Sequence, residues 1–184
     1  MSNAIGIIEL SSIAAGYQVE DAMLKSAAVD LLLARTICSG KFLVIVGGTV
    51  ASVNAAVDAG KEAGRGYVIE SLNIPNIDTQ VFSALTESVT LPHNHGRAVG
   101  IVETFSATPI IEAADAAVKA ADITLYRVHV SMAIGGKGYF LANGDVSAVK
   151  AAVEAAVERI KNTGMLVNTV VIPAASKEIF KEYV

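Results

Sequence analysis

The chain has 184 residues and a formal net charge of −4, with 53% hydrophobic and only 17% charged residues. That balance is apolar for a globular domain. No run reaches the roughly 18 apolar residues of a membrane helix, and an acidic chain lacks the basic footprint of a nucleic-acid binder. The single cysteine excludes an intrachain disulfide, and Met1-Ser2-Asn3-Ala4 carries no basic region ahead of an apolar stretch, so no secretory signal and a cytoplasmic setting are expected.

Taken in order, Ile5 to Leu10 reads as a buried strand, and Ser11-Ser12 as a break. A helix is predicted from about Val19 to Ala28, where Ala22, Met23, Ser26 and Ala27 form a helical stripe. The apolar runs Val29–Thr36 and Phe42–Val46 read as strands joined by Ile37-Cys38-Ser39-Gly40-Lys41, a hairpin turn in which glycine supplies the positive φ. Thr49 or Ser52 caps a second helix with Val50, Val53, Ala56 and Val57 on one face. A last strand, Gly66 to Ile74, stops at Pro75, which lacks the N–H a ladder needs, and a short helix follows over Thr79–Leu85. The order β-α-β-β-α-β is the ferredoxin-like arrangement.

The same order is then written a second time. Ala4-Ile5-Gly6-Ile7-Ile8-Glu9 recurs as Ala98-Val99-Gly100-Ile101-Val102-Glu103, an offset of 94 (98 minus 4). Asp21-Ala22-Met23-Leu24-Lys25-Ser26-Ala27 recurs as Asp115-Ala116-Ala117-Val118-Lys119-Ala120-Ala121. Beyond a hairpin loop two residues longer, Gly48–Val57 matches Gly144–Val153. The predicted organisation is a first domain over 1–85, a linker over 86–97 containing Pro92, Asn94 and Gly96, and a second domain over 98–184. The fold class is α/β in the broad sense, α+β in detail: two tandem ferredoxin-like domains.

Few residues suggest chemistry. Cys38 at a hairpin tip is a lone thiol, so any ligation by it must be shared between chains; otherwise it is a small apolar residue in a turn. Gly135-Gly136-Lys137-Gly138 exposes backbone N–H groups beside a lysine, but it lacks phosphate-loop spacing and leads into a strand, as a hairpin turn does. Glu9 and Glu103 end equivalent strands in separate domains, which favours a structural cap or interface hydrogen bond over paired acid–base work. His93 and His95 share a face of an extended segment, which suits weak metal binding or a polar loop, and His129 reads as interfacial. No nucleophile–base order or dinucleotide fingerprint is present, so no enzyme is expected.

The Asp-Ala-x-x-Lys-Ala-Ala helix, the Gly-Asp-Val-x-Ala-Val-x-Ala-Ala run and the opening Ala-x-Gly-x-x-Glu resemble the bacterial microcompartment shell domain, here in two copies. The resemblance is to the tandem-domain shell proteins, and in particular to the T-type subunits of propanediol-utilisation compartments. It implies a pseudo-hexameric homotrimer that tiles with other shell proteins in the microcompartment shell, with encapsulated redox enzymes as possible partners and neither nucleic acid nor membrane. It places Ile37, Cys38, Ser39 and Gly40 of the first copy and Ala133, Ile134, Gly135 and Gly136 of the second around a central pore, and Lys25 and Lys119 on tile edges. It also implies that Cys38 ligates a [4Fe-4S] cluster, one per trimer, serving electron transfer or cluster delivery across the shell. Two alternatives stay open: a shell tile with a metabolite pore and no cluster, and a duplicated small-molecule-binding sensor.

Overall fold

The computed structural model describes residues 4–91, 97–130 and 134–183. It divides the chain into two compact units, Met1–Ile77 with Met132–Gly136, and Asp78–Ser131 with Lys137–Val184. In the first unit β1 (Ala4–Leu10), α1 (Ile13–Ser26), β2 (Asp30–Ile37), β3 (Lys41–Gly48), α2 (Val50–Ala63) and β4 (Val68–Pro75) follow the predicted order. The antiparallel sheet runs β2-β3-β1-β4, so the first strand is central and flanked by both later partners. The second unit begins with α3 (Thr79–Leu85) and repeats the plan with β5 (Ala98–Thr104), α4 (Ala107–Ala120), β6 (Thr124–Val130), β7 (Gly138–Gly144), α5 (Val146–Ile160) and β8 (Leu166–Ile172). Its order, β6-β7-β5-β8, is the same.

The duplication extends to irregularities. Register slips between Leu31 and Leu33 on β2, and between Leu125 and Arg127 on the equivalent β6. A second slip recurs between Glu9 and Leu10 and between Glu103 and Thr104. Bulges add twist at defined places, so both sheets are bent at matching positions.

Three details correct or sharpen the sequence reading. First, α1 begins at Ile13, well before Val19; the Ser12 hydroxyl accepts the Ala15 N–H at 3.3 Å, so the serine pair is a helix cap as well as a break. Second, of the two caps the sequence offered for α2, the structure selects Thr49, which accepts the Ser52 N–H at 3.1 Å. Third, α3, read from sequence as the close of the first copy, packs on β6 and α4 in the second unit. The expected linker overlaps residues 92–96, which lie outside the described residues.

The core of the first unit joins Ile8 and Leu10 of β1, Phe42, Val44 and Val46 of β3, and Ala15, Val19, Met23, Val53, Ala56 and Val57 of the two helices. One contact sets how close α1 lies to the sheet. A Cβ on Gly16 would stand 2.3 Å from the Phe42 ring, so the ring occupies the space a side chain would need. The second unit solves the same problem with the sizes exchanged. Gly138 stands at the position of Phe42, and a Cβ there would meet Ile110, at the position of Gly16, at 2.6 Å. Large faces small in both copies, but on opposite elements.

This exchange generates a prediction. Gly16→Ile should overpack the first unit and cost about 3 kcal/mol. Adding Phe42→Gly should recover part of the loss, giving a favourable coupling of about 2 kcal/mol in a double-mutant cycle measured by urea unfolding. Strict additivity would show that the ring and the glycine do not share one space.

Candidate functional site: the hairpin turn and its clamp

The β2–β3 hairpin closes with Ile37 opposite Lys41, and Cys38–Gly40 form a single 3-10 turn between them. Ser39 adopts φ 65° and Gly40 φ 71°. Glycine carries the second of these at no cost, whereas a serine in the left-handed region is strained unless its surroundings hold it. Ile37 is buried, Cys38 is half-buried, and Ser39 and Gly40 are exposed. The thiol thus stands at a solvent-facing tip whose preceding residue is anchored in the unit.

Side chains alternate across a strand, so the two residues that follow the turn grip opposite faces of the sheet. Phe42 enters the core beneath α1, with the Tyr17 ring tilted against it at a centroid distance of 4.9 Å. Lys41 points the other way and places Nζ 2.7 Å from Oε1 of Glu9. The Glu9 side chain is 1% exposed and Lys41 28%. Glu9 is therefore an acid held in the protein interior by a lysine at the mouth of the hairpin, and its second oxygen, Oε2, has no hydrogen-bond partner among the described residues.

The second unit repeats the clamp. Lys137 Nζ lies 2.8 Å from Oε1 of Glu103, with side-chain exposures of 40% and 32%. Lys137 is thus the ion-pair partner of a strand-end glutamate, and Gly135 and Gly136 have φ 68° and 89° with open space where a Cβ would stand. These glycines serve backbone geometry, as a turn requires. Ile134 is half-buried beside them, and Ala133 lies outside the described residues. The sequence reading named Glu9, Glu103, Lys41 and Lys137 but missed both pairings; the lysines' equivalent places after the two turns were the available signal.

The remaining candidates separate. Lys25 and Lys119 end equivalent helices and pair with Asp21 at 2.7 Å and Asp115 at 2.6 Å. His129 stacks on Tyr139 at 5.3 Å, with Nδ1 3.9 Å from Glu87, which also meets Arg127 at 3.3 Å. His93 and His95 lie outside the described residues. Among the described residues no group of three or more His, Cys, Asp or Glu side chains could hold a metal ion. An open depression of about 240 Å³ beside α3 is lined by Thr79, Gln80, Ser83, Ser88, Val89 and Leu125, none of them an acid, base or thiol. No helix among the described residues is long and apolar enough to cross a membrane.

The fold and its duplication are those of a known family. The BMC domain model matches residues 4–77 and again residues 98–175. The chain is 46% identical to the bacterial microcompartment shell protein PduT of Citrobacter freundii, over 100% of this chain and 99% of that one. A crystal structure of a microcompartment protein from Desulfitobacterium hafniense is similar with a TM-score of 0.91 at 40% identity, covering 97% of this chain and 98% of that one. A fused permuted hexameric shell protein from the RMM microcompartment is similar with a TM-score of 0.60 at 25% identity, over 86% of this chain and 81% of that one. The chain belongs to the BMC-domain family. Within it, this is a structural shell protein of a bacterial microcompartment, carrying the domain twice.

The clamp makes a prediction about the two copies. Lys41→Met should leave the Glu9 carboxylate buried and unpaired, at a cost of about 3 kcal/mol. Lys137→Met, at a pair more than a third exposed on the lysine side, should cost about 1 kcal/mol or less. Urea unfolding of the two variants checks the order, and equal losses would contradict it.

Proposed function

We propose that the protein is a trimeric shell tile whose two kinds of hairpin turn surround a central pore, with Cys38 of each chain holding one shared [4Fe-4S] cluster. The observation that carries this reading is the placement of the chain's one cysteine. It stands half-buried at the tip of a clamped hairpin, between Ile37 and the exposed Ser39 and Gly40. A thiol used only for packing gains nothing from such a tip. A thiol that meets its equivalents from other chains needs to be there.

The donor set fits the group only across chains. Protein-bound clusters of this type are held by cysteine thiolates, usually four. One chain supplies one, and among the described residues no group of three or more His, Cys, Asp or Glu could hold a metal by itself. Three chains about a three-fold axis supply three thiolates and leave one iron for a non-protein ligand. When bound, such a cluster supplies one-electron transfer. The chain's own part is to hold the three sulfurs in place, through Phe42 beneath the sheet and Lys41 on Glu9 above it. The tile reading is supported by the domain pair and by relatives described as shell proteins, one of them a fused hexameric shell protein. Ile37, Ser39, Gly40 and the second-copy residues 134–136 are then the pore rim, and Lys25 and Lys119 stand on helices offered to neighbouring tiles. Electron transfer across the shell, or delivery of the cluster to enclosed enzymes, is the role such a pore would serve.

Iron analysis of protein purified without oxygen, with Cys38→Ser beside it, tests the cluster. Four irons shared by three chains give a ratio of about 1.3 per chain, and the serine variant should lose it. No iron in either sample would make the pore a passage for metabolites, with Cys38 one of its lining residues.

A further inference from the structure

The segment after the first copy, α3, is seated in the second unit by two hydrogen bonds. The Asp78 N–H donates to Asp115 Oδ1 at 2.9 Å, and the Leu125 N–H donates to Gln80 Oε1 at 3.0 Å. Leu125 lies on β6, the edge strand of its sheet, and an edge with outward N–H groups is usually covered. Both halves of the seat are buried: the Asp115 side chain is 10% exposed and Leu125 0%. The first unit has the same seat, and there it stands open. Asp21 occupies the position of Asp115 with its side chain 61% exposed, and Leu31, at the position of Leu125 on the edge strand β2, is 42% exposed. Leu31 faces Val46 just before a bulge, as Leu125 faces Ala142 before the matching one, so the two N–H groups leave their sheets alike.

The chain also repeats what fills the seat. At an offset of 98 (176 minus 78), Asp78-Thr79-Gln80-Val81-Phe82 becomes Ser176-Lys177-Glu178-Ile179-Phe180. The local bonds recur with it. Asp78 Oδ1 accepts the Gln80 N–H at 2.8 Å and Ser176 Oγ the Glu178 N–H at 3.4 Å. The Val81 N–H donates to the Asp78 carbonyl, and the Ile179 N–H to that of Ser176, each at 3.2 Å. This second segment is anchored in its own unit on both sides. The Ala175 N–H donates to the Arg97 carbonyl at 2.9 Å, and Ala175 and Phe180 pack with Val99. Between these anchors Ser176, Lys177 and Glu178 are exposed.

We propose that Ser176–Phe180 docks on the open seat of a second copy of this chain, against Asp21 and the β2 edge at Leu31. The Ser176 N–H then donates to the Asp21 carboxylate, as that of Asp78 does to Asp115. The Glu178 carboxylate accepts the Leu31 N–H in the place of Gln80 Oε1. Charge agrees with the match: Lys177 comes beside Asp21, and an anion replaces a neutral amide as the acceptor, which makes a stronger hydrogen bond. The contact runs head to tail, so its repetition closes a ring or continues as a filament. Closure after three copies is the trimer of the shell-tile reading, on which this proposal rests. Every seat in that ring is filled, by α3 within a chain and by the C-terminal segment between chains.

Disulfide trapping tests the docking. In a Cys38→Ser background, Ser176→Cys together with Asp21→Cys should give linked dimers and trimers on a non-reducing gel after oxidation, and neither substitution alone should. Asp78→Cys with Asp115→Cys in the same background is the control, and its bond should close within one chain. A bond between positions 176 and 21 that closes within one chain would overturn the proposal. So would no bond at all while the control closes and native mass spectrometry still shows a trimer; both results leave the tile reading intact. A protein that stays a single chain under every condition would remove the tile reading as well. Hydrogen exchange covers the case in which the cysteine pair does not fold. Glu178→Ala should speed exchange of the Leu31 amide in the assembled protein roughly tenfold, as Gln80→Ala should at Leu125. An unchanged Leu31 rate beside an accelerated Leu125 rate would overturn the docking.

Discussion

The site depends on how one strand starts. Lys41 and Phe42 are the first residues of β3, and they leave the sheet on opposite faces. Phe42 is held in the core by the absence of a side chain at Gly16; Lys41 is held by a carboxylate that has almost no access to water. A hairpin turn with two successive left-handed residues would be a loose element by itself. Anchored on both sides at its base, it becomes a fixed mount for the residue at its tip. The penalty for burying Glu9 is consistent with this, since an interior acid is retained only where its partner is fixed.

Duplication has preserved some of these devices and altered others. The clamp, the bulges and the helix-end acid–lysine pairs occur in both copies. The packing beneath the turn keeps one large side chain against a glycine but exchanges which element carries it, Phe42 over Gly16 in one unit and Gly138 against Ile110 in the other. Once this exchange exists, a single residue moved from one copy to the other meets either a clash or a void. The cysteine is confined to the first copy. A chain with two similar halves is thereby fixed as two different halves, and in the proposed trimer it would bring three thiols together, not six.

Much of this was legible in the residues, for reasons that differ by element. The repeat and the β-α-β-β-α-β order follow from local periodicity, and Cys38 between two β-rich runs reads as a turn because Ser-Gly punctuates them. The early start of α1 was hidden by Gly16, which lowers helix propensity locally. That glycine is present for a ring twenty-six residues away (42 minus 16), a reason no window contains. The Glu9–Lys41 pair spans thirty-two residues and becomes visible only when β1 and β3 are known to be neighbours. The placement of α3 was missed because its attachment runs through the Asp78 backbone, which carries no sequence signature, to Asp115. Each miss is a non-local contact that overrides a local preference.

Native mass spectrometry of the protein prepared without oxygen tests the central claim most directly, because one spectrum reports both assembly and cargo. The account predicts a species of three 19.0 kDa chains carrying the additional mass of a single four-iron, four-sulfide cluster, and a Cys38→Ser trimer without it. A wild-type protein that stays a single chain under every condition, or a trimer with a cluster on each chain, would contradict it.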